Sequence, residues 1–464
     1  MALPPQDTVT LSPPAPGPAG RPASPGDEFE DRPVPLTHRR PLRSVSSVWF
    51  GFPMVLTNAV FGGVIVFNLG FARGMAAILL GCLILGGYVG ALSHLAGRTG
   101  DTFARIAAVT FGGHGARLAS AFLATVVIGW FAFQVGLTGA TLHAALGWPT
   151  RPTVLLAGVL YVAVAWAGIR ALSVIGWIAA PLYLVLGAVA IALALRDASP
   201  GDVLSYEGQA PAGGALAFGA CVTMVVAAFI DSGTMTADFT RWSRNGREAV
   251  LAALTAFPVA NLLALLVGAV VVGAGAAAEP ATAGGDFLGL LTGRGGLLTA
   301  AAVVFVFANL GSVSAHCLYN AAVGWGQLTG VTMRRLVPFI GLLGLAVALA
   351  GVWEHFETWL TLLGVFVPPI GAVLLTDQLA PGAAGRPARR GLRPVPLAAW
   401  AVGAALATLV HYQGPQYCEA AVGLLAAALV QFAGARLGRA PRGPRAATRD
   451  SARGTAPATA RPAP

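Results

Sequence analysis

From about residue 46 to residue 435 the chain keeps returning to one pattern: apolar runs of roughly twenty residues separated by short polar connections. Wound as a helix at about 1.5 Å per residue, such a run covers the roughly 30 Å hydrocarbon core of a bilayer. In hydrocarbon every backbone amide must be satisfied internally, which leaves helices or a closed barrel. A barrel would alternate apolar and polar residues in segments of about ten, and these runs do not alternate. The chain therefore reads as an all-α polytopic membrane protein. Its charged fraction of 10%, against roughly 25% in soluble domains, points the same way.

The runs divide into twelve expected transmembrane helices. They fall near 46–70, 74–97, 115–144, 152–168, 171–195, 214–239, 249–277, 297–327, 336–352, 357–377, 395–412 and 416–435. They make one transmembrane domain, residues 44–436, between two tails rich in Pro, Ala, Gly and Arg. Composition predicts that both tails, 1–43 and 437–464, are disordered. The first 43 residues contain no apolar h-region, so no cleaved signal peptide is expected and the first helix would direct insertion.

All 29 basic residues are arginine. With a cytoplasmic N-terminus, 25 of them fall inside and four (Arg73, Arg151, Arg196, Arg294) outside. The positive-inside rule then places both termini in the cytoplasm of a multi-pass protein of the cytoplasmic membrane. The net charge of +10 lies in tails and connections, not on one face with interleaved aromatics, which argues against nucleic acid as a partner. Four scattered cysteines (Cys82, Cys221, Cys317, Cys418) lack metal or disulfide spacing and read as small packing residues. The sequence has no HExxH, GxSxG or P-loop motif, and no metal or organic cofactor is expected; an intramembrane enzyme or sensor is the weaker reading.

Two spans carry glycine or proline among polar residues at membrane depth: the first, SSVWFGFPMVLTNAVFGG, and the sixth, around FIDSGTMTADF. Irregular backbone is tolerated there only if it is buried in protein or lines a cavity. The two spans lie five helices apart. Interruptions at matching positions of two halves point to an inverted-repeat transporter, with substrate bound where the halves meet.

Asp231 is the one acidic residue expected deep within a span, about ten residues or roughly 15 Å from its start. An ionised carboxylate there must face the protein interior, a partner or a wet cavity. Asp238 and Asp377, at span ends, are expected to pair with arginines or cap helices. In the third span Trp130 and Gln134 share a helix face one turn apart, an indole to stack on a planar ring and a carboxamide to read its edge. Phe229 is the expected opposite wall. In the eighth span Asn309, Ser312 and His316 line up at spacings of three and four. Oxygens of Asn309 and Ser312, with carbonyls near Gly51 and Met54, would suit a monovalent cation; interhelical hydrogen bonding is the plainer alternative. Asp231 or His316 is a possible proton carrier.

At these residues the chain resembles the nucleobase:cation symporter (purine/cytosine permease) family, closest to its cytosine permease branch. The run FIDSGTMTADFTRWSRNGREAV matches that branch's sixth helix and following loop. GWF, ANLGSVSAHCLYNAAVGWGQLTG and LTLLGVFVPPIGAVLLTDQL give further support, and the similarity extends over about residues 45–435. The resemblance implies a leucine-transporter-like (LeuT-like) fold, a 5+5 inverted repeat plus two extra helices, working by alternating access. It implies import of a nucleobase, cytosine-like, or of a thiamine precursor, hydantoin, allantoin or purine, by symport with Na+ or H+. Trp130 and Phe229 would be the aromatic walls, and Gly51, Met54, Asn309 and Ser312 the cation neighbourhood. The chain departs from the branch at Val127, at Asp231 in place of a serine and at Val313 in place of a hydroxyl residue, which makes proton coupling through Asp231 or His316 an alternative. Oligomeric state is left open.

Overall fold

A computed structural model describes residue 29 and residues 32–211, 214–351, 355–380, 386–388 and 390–437. The described chain is helical throughout. It begins with α1 (Leu42–Gly51), α2 (Leu56–Leu69), α3 (Phe71–Thr99), α4 (Phe103–Leu146), α5 (Thr150–Ala167), α6 (Ile169–Ala194) and the short α7 (Pro200–Leu204). Then come α8 (Phe218–Ala227), α9 (Ile230–Thr234), α10 (Ala237–Thr240), α11 (Gly246–Leu254), α12 (Asn261–Gly273), α13 (Pro280–Ala283) and α14 (Leu288–Leu291). The chain closes with α15 (Gly296–Thr329), α16 (Met333–Leu349), α17 (Phe356–Phe366), α18 (Pro368–Gln378), α19 (Pro394–Gln413) and α20 (Glu419–Leu437).

Among the described residues, nine helices are long and apolar enough to cross a membrane, ten if α1 and α2 count as one bent span. The two other expected spans correspond to α16, 17 residues long, and to the pieces α8 to α10. The first span bends by 61° between α1 and α2. Pro53 explains the position of the break, since its ring removes an amide donor and obstructs the preceding turn. The sixth span breaks at Phe229, whose backbone (φ −138°, ψ 14°) leaves the helix just before Asp231.

The Gly62–Gly63 pair, which sequence leaves open as helix-weakening or as a place for close packing, does not interrupt α2, which runs helical through both. Gly62 serves close packing instead. A Cβ on it would collide with the carbonyl oxygen of Leu265, and one on Gly268 would collide with that of Ala59, so α2 and α12 touch backbone to backbone. Elsewhere α4 packs along α15, α3 against α8 and α11, and α18, α19 and α20 form a group of their own. The third expected span is the distal part of a longer helix: α4 starts at Phe103 and kinks at Gly112 (φ 79°).

The tail expected over residues 1–43 is not structureless to its end; residues 1–28, 30 and 31 lie outside the described residues, as do 438–464 of the C-terminal tail. From residue 32 onward the segment packs on the bundle. Val34 N–H donates to Gly100 O (2.9 Å) and Arg40 N–H to Trp242 O (2.7 Å). The Arg39 guanidinium donates to the carbonyls of Gly97 (2.5 Å) and Ser243 (3.3 Å). Helix-end carbonyls lack intrahelical donors, and arginine supplies them.

Candidate functional site

The break between α1 and α2 exposes backbone groups that a continuous helix would satisfy, and two asparagines take them up. Asn58 Nδ2 donates to Pro53 O (2.7 Å) and to Asn261 Oδ1 on α12 (2.9 Å). Asn309, reaching from α15, accepts from Leu56 N–H through Oδ1 (2.8 Å) and donates from Nδ2 to Met54 O (2.8 Å) and Ala179 O (3.4 Å). Val55, at the N-cap of α2, offers no side-chain acceptor. Asn309 therefore caps that helix from another part of the chain.

Beside the break lies a cavity of about 20 Å³, room for about one water molecule. In this conformation a ring larger than water enters only after side chains shift. Trp130, Gln134, Phe229 and Asp231, the four residues expected to bind substrate, all line it. The α4 helix brings Trp130 and Gln134 on one face, and the break before α9 brings Phe229 and Asp231.

The polar groups of this cavity are unevenly satisfied. Asp231, 1% exposed, accepts from Ser232 N–H through Oδ1 (2.6 Å). Its Oδ2 has no hydrogen-bond partner, and neither has the buried indole Nε1 of Trp130 nor Oδ1 of Asn58. The Trp130 N–H and the Asp231 carboxylate interact electrostatically, but they stop short of hydrogen-bond geometry. Gln134 Oε1 accepts from Thr57 Oγ1 (2.7 Å), which fixes its amide in the cavity wall with Nε2 as the remaining donor. Buried polar atoms in native proteins are almost always paired. A donor and two acceptors left over around one cavity therefore mark a place for a polar guest.

Of the residues expected near a cation, Asn309 and Met54 are engaged with each other. Gly51 O accepts from Met54 N–H (3.2 Å). Ser312 is buried on α15 and its carbonyl accepts from His316 Nδ1 (2.8 Å). His316, expected as a possible proton carrier, does not line the cavity; Cys317 and Val313, its neighbours on α15, do. Asp238 Oδ1 accepts from Phe103 N–H (2.9 Å) and so caps α4. Asp377 pairs with Arg393 and Arg386. Sequence reasoning passed over Phe52, Thr57, Asn58 and Phe61, which also line the cavity. For Thr57, Asn58 and Phe61 the signal was present in TNAVF, two polar residues one helical turn after a proline break at membrane depth; Phe52 directly precedes that proline.

The fold defines a class. The chain superposes on Mhp1, described as a nucleobase-cation-symport-1 family transporter, in a closed conformation with bromovinylhydantoin bound, at a TM-score of 0.69, covering 88% of this chain and 95% of that one at 20% identity. A Na+-coupled sialic acid symporter in a substrate-bound outward-open state matches at a TM-score of 0.64, over 89% and 92%, at 12% identity. The molecule thus shares the all-helical fold of these two proteins, and one fold serves chemically unlike cargoes. Sequence then gives the family. A family profile described as permease for cytosine/purines, uracil, thiamine, allantoin matches residues 33–384. The cytosine permease of Escherichia coli strain K12 is 31% identical over 353 residues, 76% of this chain and 81% of that protein. The chain belongs to this purine/cytosine permease family of nucleobase–cation symporters, and it is a multi-pass membrane transporter of nucleobase-like substrates, not an enzyme.

Proposed function

We propose that the protein imports a cytosine-like nucleobase, or a small planar heterocycle of the same chemistry, across the cytoplasmic membrane together with a cation. The observation that carries this reading is the set of unpartnered atoms around the cavity: Trp130 Nε1 as donor, Asp231 Oδ2 and Asn58 Oδ1 as acceptors. A cytosine-like ring carries N–H donors on either side of a carbonyl and a ring-nitrogen acceptor, so it can offer two donors and an acceptor to such a set. Trp130 and Phe229 supply ring faces for stacking, and Gln134 Nε2 with Asp231 reads the edge. Twelve spans with both termini cytoplasmic, arranged as a 5+5 inverted repeat plus two helices, would let the broken first and sixth spans meet at the substrate. Binding moves the equilibrium between outward and inward forms only through its different affinity for each.

For the coupling ion, a site beside Ser312 is one reading. A proton carried on Asp231 is the second, favoured by the unpartnered Oδ2 and by the engagement of Met54 O and Asn309 with each other. Uptake of radiolabelled cytosine into proteoliposomes, with and without sodium and at two pH values, separates the two. Competition by hydantoin, allantoin, a thiamine precursor and purines ranks the substrates. Asp231→Asn keeps the shape but alters the charge and donor pattern. It is expected to lower affinity roughly ten- to hundredfold, the worth of a hydrogen bond to a charged group. Wild-type uptake with an unchanged pH profile would remove Asp231 from the mechanism.

A further inference from the structure

A second cavity, of about 600 Å³, opens where the C-terminal ends of α18 and α20 meet the N-terminal end of α19. Its centre is Asp377, 2% exposed. Arg393 holds both carboxylate oxygens (2.9 and 3.1 Å), Arg386 lies at 3.5 Å, and Gln431 Nε2 donates at 3.1 Å. One carboxylate neutralises one of these guanidiniums. Arg386, Arg390 and Arg393 all line the cavity; Arg386 also donates to Asp377 O (2.6 Å) and Arg393 to the carbonyls of Val109 and Thr110 (2.9 and 2.8 Å), whereas Arg390 has no hydrogen-bond or ion-pair partner among the described residues. Gln431, 1% exposed, also lines the cavity, and its Oε1 is unpartnered.

The lip of the cavity is apolar. Leu392 and Val395, both lining it, are 59% and 37% exposed. The apolar helices α18, α19 and α20 all terminate here, so the cavity lies at the level where hydrocarbon gives way to headgroups. A cationic pocket with an apolar lip at that depth matches an anionic phospholipid. The phosphodiester would meet the arginines, the acyl chains would run past Leu392 and Val395, and a headgroup hydroxyl would satisfy Gln431 Oε1. A soluble phosphate would use the arginines but gain nothing from the lip. We propose that this cavity is a binding site for the phosphodiester headgroup of an anionic, hydroxyl-bearing phospholipid.

The test uses the full chain in detergent, with binding followed by native mass spectrometry and thermophoresis. The probes are short-chain phosphatidylglycerol, phosphatidylcholine of the same chain length, and inorganic phosphate. Saturable binding of phosphatidylglycerol alone is expected. Arg390→Gln, which removes a side chain with no partner in the fold, should weaken it about fivefold, the worth of one basic residue at an anionic surface. Arg386→Gln combined with Arg390→Gln should weaken it further, while Arg294→Gln, outside the cavity, leaves it unchanged. Equal binding of phosphatidylcholine, phosphate matching phosphatidylglycerol, or wild-type affinity in Arg390→Gln would each overturn the proposal.

Discussion

Replacing Asn309 with alanine tests whether this side chain holds the broken first span together or serves as an ion ligand. The residue is 1% exposed, and its amide satisfies Leu56 N–H and Met54 C=O, each at 2.8 Å, plus a longer contact to Ala179 O. Truncation strands two buried backbone groups at about 1–3 kcal/mol each, a total of about 2–6 kcal/mol. That is a large share of the roughly 5–15 kcal/mol that stabilises a typical folded protein. The assay is unfolding of the purified protein in mixed micelles, followed by tryptophan fluorescence, once in choline buffer and once in sodium buffer. A clasp predicts the same loss in both buffers. An ion ligand predicts a loss confined to sodium, because without sodium there is nothing for it to hold. Asn309→Asp sharpens the comparison: it keeps the acceptor for Leu56 but removes the donor to Met54, and it buries a carboxyl group. An Asn309→Ala protein within about 0.5 kcal/mol of the parent in choline, below the cost of one stranded group, would refute the clasp.

Three other outcomes follow from the geometry. Trp130→Ala should weaken substrate binding by about 1–3 kcal/mol, the scale of base–aromatic stacking; unchanged affinity by calorimetry would show that the indole merely packs against Phe133 and Phe356. Gly62→Ala should destabilise the protein by about 1–3 kcal/mol, because the added methyl collides with the Leu265 carbonyl and α2 must move off α12; an unaltered unfolding midpoint would contradict that contact. Tyr88→Phe removes the 2.6 Å bond from α3 to Thr234 beside the sixth-span break. Thr234 still donates to Ile230 O (2.6 Å), so the cost should fall near the low end of about 0.5–1.5 kcal/mol; a loss above about 3 kcal/mol in the unfolding assay would reveal a larger role for the tyrosine.

The membrane class, the two broken spans and the four side chains facing the cavity were legible in the linear sequence because each has a local cause. Apolar run length sets a span, Pro53 sets a break, and a spacing of four puts Trp130 and Gln134 on one helix face. Asp231 stood out because an acid is expensive at that depth. The same local logic left two readings open at Gly62 and at Asn309. A glycine reads alike whether it breaks a helix or admits a neighbour, and only the Leu265 carbonyl, two hundred residues on, decides between them. An asparagine beside serines reads equally as an ion ligand or as an interhelical clasp, and only the placement of Leu56 and Met54 shows what its amide holds.

What the sequence alone determined was the solvent for which this chain is made and the length of apolar run it repeats, since both follow from hydrocarbon thickness and helical rise. What only the tertiary structure decided was which polar atoms are already paired and which are left over. Hydrogen bonds from Asn309 on α15 to Leu56 and Met54 join residues some 250 positions apart, and pairing at that distance depends on how helices are placed in three dimensions. Trp130 Nε1 and Asp231 Oδ2 are brought near each other by that placement without a hydrogen bond, which neither residue's own neighbours in the chain determine.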